Sequence, residues 1–324
     1  MFGWYSKETV PNFIGADAKT VKGTSRRTMD PLGCERNTEV MGLQRIGFIG
    51  AGKVGRALGM YLSEHGRTVN GYYSRSIHSA QSAAACIGAT YYENLKDIAN
   101  CSDVLFLTVP DRAIGPVWDQ LVLLQERQEI SLRGKTVLHC SGSLSSDIFS
   151  NLQESGAKGY SLHPILAVSD PDIAREQFPT CIFTLEGEAG EHRQALLDDL
   201  RQAGLTVAPI SKEKKVRYHG ACVMASNLVN ALLAASQQML SGCGLDEDLC
   251  KRALTPLFLG NANAAATRGP MESLTGPIQR GDMVTVQKHV EELSKKEDDG
   301  DLLCIYNALS QYLLHKKGEK GNER

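Results

Sequence analysis

The stretch Arg45-Ile-Gly-Phe-Ile-Gly50-Ala51-Gly52-Lys53-Val54-Gly55-Arg-Ala-Leu-Gly59 decides how the rest of the chain is read. Ile46, Phe48 and Ile49 form a short apolar run, three glycines follow in G-x-G-x-x-G spacing, and Ala57, Leu58 and Leu62 recur at helical intervals. A strand that turns on glycines into a helix is the phosphate-cradling element of a dinucleotide-binding fold. Gly50 permits a sharp turn off the strand, Gly52 lets backbone N–H groups approach a diphosphate, and Gly55 lets helix and strand pack closely. The expectation is that Gly50, Ala51, Gly52, Lys53, Val54 and Gly55 all line the cofactor. A merely tight structural turn is the alternative, and the flanking periodicity argues against it.

Downstream of Arg45 the pattern alternates strand and helix. Strands are expected near 45–50, 68–74, 89–93, 103–109, 136–141, 159–163, 181–187 and 206–211, with Gly66, Gly88, Gly156 and Gly204 closing the intervening helices. The run at 103–109 is apolar on both faces, as a central strand covered by helices on each side must be. Strand signals stop after residue 211, and alanine- and leucine-rich helices are expected near 213–241, 246–267, 282–297 and 300–316. The fold class is therefore α/β. A Rossmann-type, doubly wound parallel sheet at 43–211 precedes an all-helical domain at 212–318 and a tail at 319–324. Upstream, residues 1–42 have the composition of a disordered or mis-called extension. Through Met41 they carry six basic and five acidic side chains and no apolar core of a secretory signal, and their acids argue against a transit peptide.

Composition narrows the function classes. At 324 residues, 42% hydrophobic and 22% charged, the chain can bury one large or two medium cores. A net charge of −2 offers no basic field for nucleic acid. The longest basic run, Lys212-Glu213-Lys214-Lys215-Val216-Arg217, is interrupted and reads as a solvated helix start. The nine cysteines include no C-x-x-C pair and no metal-like cluster with histidine, so no metal is expected. Their odd count suits reduced thiols in the cytoplasm. No apolar stretch approaches the roughly 20 residues needed to cross a bilayer.

Where NAD-binding folds place an acid at the end of the second strand, this chain reads Tyr72-Tyr73-Ser74-Arg75-Ser76. A guanidinium between two hydroxyls suits a 2′-phosphate, so NADP(H) is the expected cofactor. The alternative is an exposed arginine beside a helix cap at Ser76. Ligands of open α/β sheets bind outside the carboxyl ends of the strands. There, Val109 and Pro110 are expected to wall the cofactor, and Ser141 and Gly142 to offer donors near the nicotinamide. His139 reads as a core or orienting residue. His163, beside Pro164, is a candidate for proton transfer, with a structural role as the alternative.

Two polar groups stand out in the helical half. On one long helix, His219, Ser226 and Asn230 fall within about 20 to 40° of a single line, with Asn227 roughly one residue step away. They pair with one another or face a polar ligand, since a buried unpaired polar group costs about 1–3 kcal/mol. The segment 274–282, Leu-Thr-Gly-Pro-Ile-Gln-Arg-Gly-Asp, reads as a loop that presents Arg280 as a clamp for a carboxylate or phosphate, with Asp282 capping the next helix.

Taken in order, the glycine turn, Ser74-Arg75-Ser76, His139-Cys-Ser-Gly, Leu162-His163-Pro164, Tyr218-His219 with Ser226-Asn227, and Leu274 to Asp282 resemble a family that pairs a Rossmann-like domain with a helical domain of unknown function (DUF2520). The resemblance covers about residues 43–316. This family sits beside pyrroline-5-carboxylate reductase, 6-phosphogluconate dehydrogenase and 3-hydroxyisobutyrate dehydrogenase. It implies a C-terminal domain like that of 6-phosphogluconate dehydrogenase, and a homodimer through the helices. One departure matters: the lysine that the hydroxyacid dehydrogenases place one helical turn before an asparagine is here Val223, four before Asn227. The combined expectation is an NADPH-dependent oxidoreductase acting on a small polar carbonyl or imine in an interdomain cleft. Asn227 and Arg280 would orient the substrate, and His163 or His219 would handle the proton. The rival expectation is a catalytically silent NADP(H) sensor, which the missing lysine favours. A deazaflavin-dependent hydride shuttle is a weaker third.

Overall fold

Two kinds of packing divide the chain between Lys212 and Glu213, a sheet covered by helices and then helices alone. The structure is a computed structural model that describes residues 28–29, 35–36, 43–295 and 300–322. The expectation for residues 1–42 falls outside the described residues, apart from an antiparallel ladder of Thr28–Met29 (β1) with Glu35–Arg36 (β2).

In the first unit strand and helix alternate: β3 Ile46–Ile49, α1 Lys53–Glu64, β4 Val69–Tyr73, α2 Ile77–Ala85, β5 Thr90–Tyr92, α3 Leu95–Cys101, β6 Val104–Leu107, α4 Asp111–Glu126 and β7 Thr136–His139. They continue with α5 Leu152–Ser155, β8 Lys158–Pro164, α6 Pro171–Gln177, β9 Ile182–Gly187, α7 Glu191–Gln202 and β10 Thr206–Pro209. The eight strands β3 to β10 form one sheet in the order β10-β9-β8-β7-β6-β3-β4-β5. All four residues of β3, β6 and β7 are buried, as strands covered on both faces must be, and β7 buries Thr136 and His139 along with Val137 and Leu138. On one face Phe48 stacks on Tyr72 and Phe106, with centroids 5.2 and 5.1 Å away. On the other, Trp118 packs edge-on against Phe149 and donates its Nε1–H to the Ser150 carbonyl at 2.8 Å.

One part of the expected parallel sheet is reversed. β9 runs antiparallel to β8, with His163 opposite Thr184 and Ser161 opposite Glu186, while β10 runs parallel to β9. Residues 165–181 join the two strands, and the Ile165 N–H donates to the Ile182 carbonyl at 2.9 Å, which holds the end of β8 against the start of β9, so the chain re-enters the sheet at the edge it has just left.

The second unit holds α8 Lys215–Ala225, α9 Asn227–Gly242, α10 Glu247–Arg268, α11 Gly276–Arg280, α12 Met283–Leu293 and α13 Gly300–Asn322. The helix expected over 213–241 is broken at Ser226, whose backbone lies at φ −127°, ψ −82°. Its hydroxyl donates to the Cys222 carbonyl at 2.7 Å, the side-chain-to-backbone bond by which serine competes with the helical ladder. The final helix runs through Asn322, into the residues read as a tail. Lys215, in the run read as a solvated helix start, is 1% exposed, because alternating charge does not say which lysine turns inward. Among the described residues no helix is long and apolar enough to cross a membrane.

Candidate cofactor edge and helical-unit residues

The carboxyl ends of β4, β3, β6 and β7 lie side by side, with Tyr73 paired to Ile49, Ile49 to Leu107 and Leu107 to His139, and β8 pairs Ser161 to His139 and runs on to Pro164. The first-unit candidate site residues stand on this edge, in the loops leaving it, or in the first turn of α1.

At its centre the glycine turn leaves β3. Gly50 has φ +113°, and a Cβ there would stand 2.6 Å from the Thr108 carbonyl oxygen, so no other residue fits. A Cβ on Gly55 would meet the Thr108 hydroxyl and lie 2.7 Å from the Gly50 carbonyl oxygen. Thr108, absent from the sequence-based site, closes the turn by donating its hydroxyl to the Gly50 carbonyl at 2.7 Å. The Tyr72 hydroxyl donates to the Gly55 carbonyl at 3.3 Å, and burial raises its phenol far above the ordinary value, so it stays a donor. Gly52 is exposed, with only the Thr108 carbonyl oxygen 3.9 Å from where a Cβ would stand, and α1 begins there with no capping side chain and no acid in its first turn. Its first N–H groups and the positive end of its dipole suit an anion.

Beside the turn, Gly50 N–H donates to the Tyr73 carbonyl at 2.7 Å, which draws the end of β4 against it. Ser74 is half-buried, Arg75 is exposed, and no described carboxylate pairs with that guanidinium. Ser76 caps α2 by accepting the Ser79 N–H at 3.3 Å. Val109 and Pro110 follow β6, and Asp111 opens α4.

The loop after β7 is tied at nearly every residue. Ser141, 4% exposed, donates its hydroxyl to Asp111 Oδ2 at 2.7 Å, and its oxygen accepts the Ser143 and Leu144 N–H groups at 3.3 and 3.1 Å. Fully buried His139 accepts the Ser141 N–H on Nδ1 at 3.2 Å, so its proton is on Nε2, 3.2 Å from the Ser145 carbonyl. This is the orienting role expected of it. Gly142 is buried, and no described group accepts its N–H. A buried orphan amide on this edge is a place for a ligand acceptor. His163, half-buried, lies two residues along β8 from Ser161.

In the second unit the break at Ser226 puts His219 on α8 but Asn227 and Asn230 on α9, so the single line drawn through them is not continuous. His219 is half-buried and Asn227 exposed. Arg280 is exposed and closes the short helix α11 instead of sitting in a loop. Asp282 does cap the next helix, accepting the Thr285 N–H at 3.1 Å and hydroxyl at 2.7 Å, and those bonds hold its carboxyl below the ordinary range. A groove of about 360 Å³ lies in this unit between Leu232, Thr275, Ile278 and Leu309, with His289 hydrogen-bonded to Tyr306 at 2.7 Å on its wall. Neither residue stands out in the sequence, because their 17-residue separation matches no motif.

Fold and edge together define a Rossmann-like protein with an added helical domain. Family models agree: the Rossmann-like domain matches residues 34–164, and the domain of unknown function DUF2520 matches residues 181–313. The chain carries these two domains in that order. No curated protein matches it. Among solved structures, protein TM1727 of Thermotoga maritima is 29% identical, with a TM-score of 0.63 over 86% of this chain and 99% of its own. Protein BF3122 of Bacteroides fragilis is 22% identical, with a TM-score of 0.62 over 84% and 98%. A pyrroline carboxylate reductase of Plasmodium falciparum, 14% identical over 84% and 98%, shares the fold with a TM-score of 0.53.

Proposed function

We propose that the protein is an NADP(H)-dependent oxidoreductase acting on a small polar carbonyl or imine compound. The observation that carries this reading is the uncapped, acid-free start of α1 at Gly52 beside a second strand that ends in Ser74-Arg75-Ser76. The fit of the residues to the cofactor is direct. Backbone N–H groups of the 50–55 turn donate to the diphosphate, and Arg75 with Ser74 and Ser76 holds the 2′-phosphate through paired N–H and O–H donors. Val109 and Pro110 wall the ribose side, and the orphan N–H of Gly142 serves the nicotinamide end, while Ser141, whose N–H and hydroxyl are already donated to His139 and Asp111, shapes the loop. The Plasmodium falciparum reductase of the same fold was crystallised with NADP bound, which favours this nucleotide.

A bound nicotinamide supplies the hydride, and the chain supplies position and electrostatics. Asn227 and Arg280 hold the substrate's polar groups, and His163 or His219 manages the proton. With Val223 in the lysine's usual place, imine reduction is the better-matched chemistry, because a protonated imine needs less acid help. The helical unit forms a homodimer. Its α9 buries none of its 16 residues and α10 only Cys250 of 22, while Leu228, Leu257 and Leu259 are 51–67% exposed.

Titration with NADPH and NADH, followed by turnover on a panel of cyclic imines, keto acids and aldehydes, tests the reading. At least tenfold preference for NADPH and oxidation with one panel member are expected. Tight NADPH binding without turnover on any member turns the reading to a sensor, and binding of neither nucleotide ends it.

A further inference from the structure

The carboxylate of Glu186 is 2% exposed, and no described cation pairs with it. Its Oε2 accepts the Ser146 N–H at 2.7 Å and its Oε1 the Ser146 hydroxyl at 2.9 Å. A buried carboxylate is costly, and an apolar side chain of similar volume usually stabilises a fold as well or better. Its burial near the end of β9, hydrogen-bonded to a serine 40 residues away, points to what that serine anchors.

Ser146 ends the loop that starts at Ser141, and three anchors hold that loop. His139 ties both Ser141 and Ser145, at 3.2 Å each. Ser141 gathers the 143 and 144 amides on its own oxygen and reaches Asp111 at 2.7 Å. Glu186 fastens the far end. The backbone so fixed leaves Gly142 N–H buried and without an acceptor among the described residues. The reversed direction of β9 makes this reach possible, since Glu186 lies opposite Ser161, which itself pairs with His139.

We propose that Glu186 is a positioning residue: from two strands away it clamps Ser146 and thereby holds the Gly142 N–H ready to donate to the nicotinamide end of the cofactor, with Ser141 serving as the tie that shapes the loop. This inference rests on the cofactor reading above. It assigns Glu186 no contact with cofactor or substrate, and it makes a split between the two ends of the nucleotide. Loosening the loop weakens recognition of the nicotinamide half and leaves the adenosine half, held at the 50–55 turn and Arg75, untouched.

Calorimetric titration of the full chain with NADPH, and separately with 2′-phospho-ADP-ribose, which lacks the nicotinamide, tests it. Glu186→Leu is expected to weaken NADPH about tenfold, the scale of one lost charge-assisted hydrogen bond, with the fragment's affinity within about twofold of wild type. Glu186→Gln still accepts the Ser146 N–H and can donate to its hydroxyl, so it should recover most of the affinity. Should Glu186→Leu fail to fold, Ser146→Ala removes one of the two bonds and should give about a threefold loss with the same split. Unchanged NADPH affinity in these variants, or equal losses for NADPH and the fragment, overturns the clamp while the cofactor reading stands. A wild-type chain that binds neither molecule overturns both.

Discussion

The sheet unit and the helical unit treat their apolar residues in opposite ways. In the first, every residue of β6 is buried and Trp118 is fully enclosed. In the second, α9 and α10 are built largely from alanine and leucine, yet between them only Cys250 is buried. A helix draws most of its stability from packing an apolar face; the first unit buries its own, whereas the second leaves Leu228, Leu257 and Leu259 exposed. On the proposed reading the same contrast separates binding from assembly: the sheet edge takes the ligand, and the helices take a second copy of the chain.

The hardest blow to this contrast is aimed at the sheet's core. Trp118→Ala should cost about 3–5 kcal/mol in denaturant unfolding, from the cavity and the lost bond to Ser150, without changing the oligomeric mass. A loss under about 1 kcal/mol would mean that the sheet unit is less self-sufficient than its burial implies. The converse variant, Leu257→Glu, places a charge on a residue that is 67% exposed in the single chain. It should weaken the dimer by at least about 2 kcal/mol, seen as a shift to monomer in sedimentation, because the charge would be buried there. A wild-type chain that sediments as a monomer at micromolar concentration removes the dimer from the proposal.

Next in size, Arg75→Glu should reduce NADPH affinity by about 2 kcal/mol and leave NADH binding unchanged or improved. A smaller effect comes from helix starts. α10 is capped by Asp246, which accepts the Leu249 N–H at 2.8 Å, whereas α1 at Gly52 has no such cap. Asp246→Ala should destabilise the helical unit by about 1 kcal/mol. Gly52→Asp would instead put a carboxylate where the diphosphate belongs and should abolish NADPH binding while sparing the fold. The smallest effect is one of pH. His192 lies against Tyr160 with its Nε2 2.8 Å from the Thr136 hydroxyl, and burial, with Lys158 nearby, holds its imidazole below the ordinary value of about 6.5. Below pH 6.5 the unfolded chain takes up a proton that the folded one resists. Stability should therefore decline as pH falls through that value and level off beneath the folded pKa. His192→Gln should flatten that decline, and an unchanged slope would show that other groups set it.

Much of the sheet was legible because its signals are local. The glycine turn declares itself within Gly50 to Gly55, and the apolar runs of β3 and β6 sit where periodicity places them. The direction of β9 was not, since a buried strand has the same composition in either sense and the connection over 165–181 is long enough for both. The break at Ser226 escaped for a similar reason: serine is tolerated within helices, and its bond to Cys222 shows only once the backbone is placed. The long-range site partners were hidden too. Ser141 meets Asp111 across 30 residues and Ser146 meets Glu186 across 40, contacts that no spacing rule encodes. Thr108 lay in plain view at the end of β6, but its role depends on the carbonyl it touches.

That threonine has a thermodynamic consequence. With its hydroxyl on the Gly50 carbonyl, the loop that would receive a dinucleotide already has the shape it needs. Docking there freezes little backbone, so the entropy lost on association should come chiefly from the guest's own rotors, and complexes should differ in residence time more than in speed of capture.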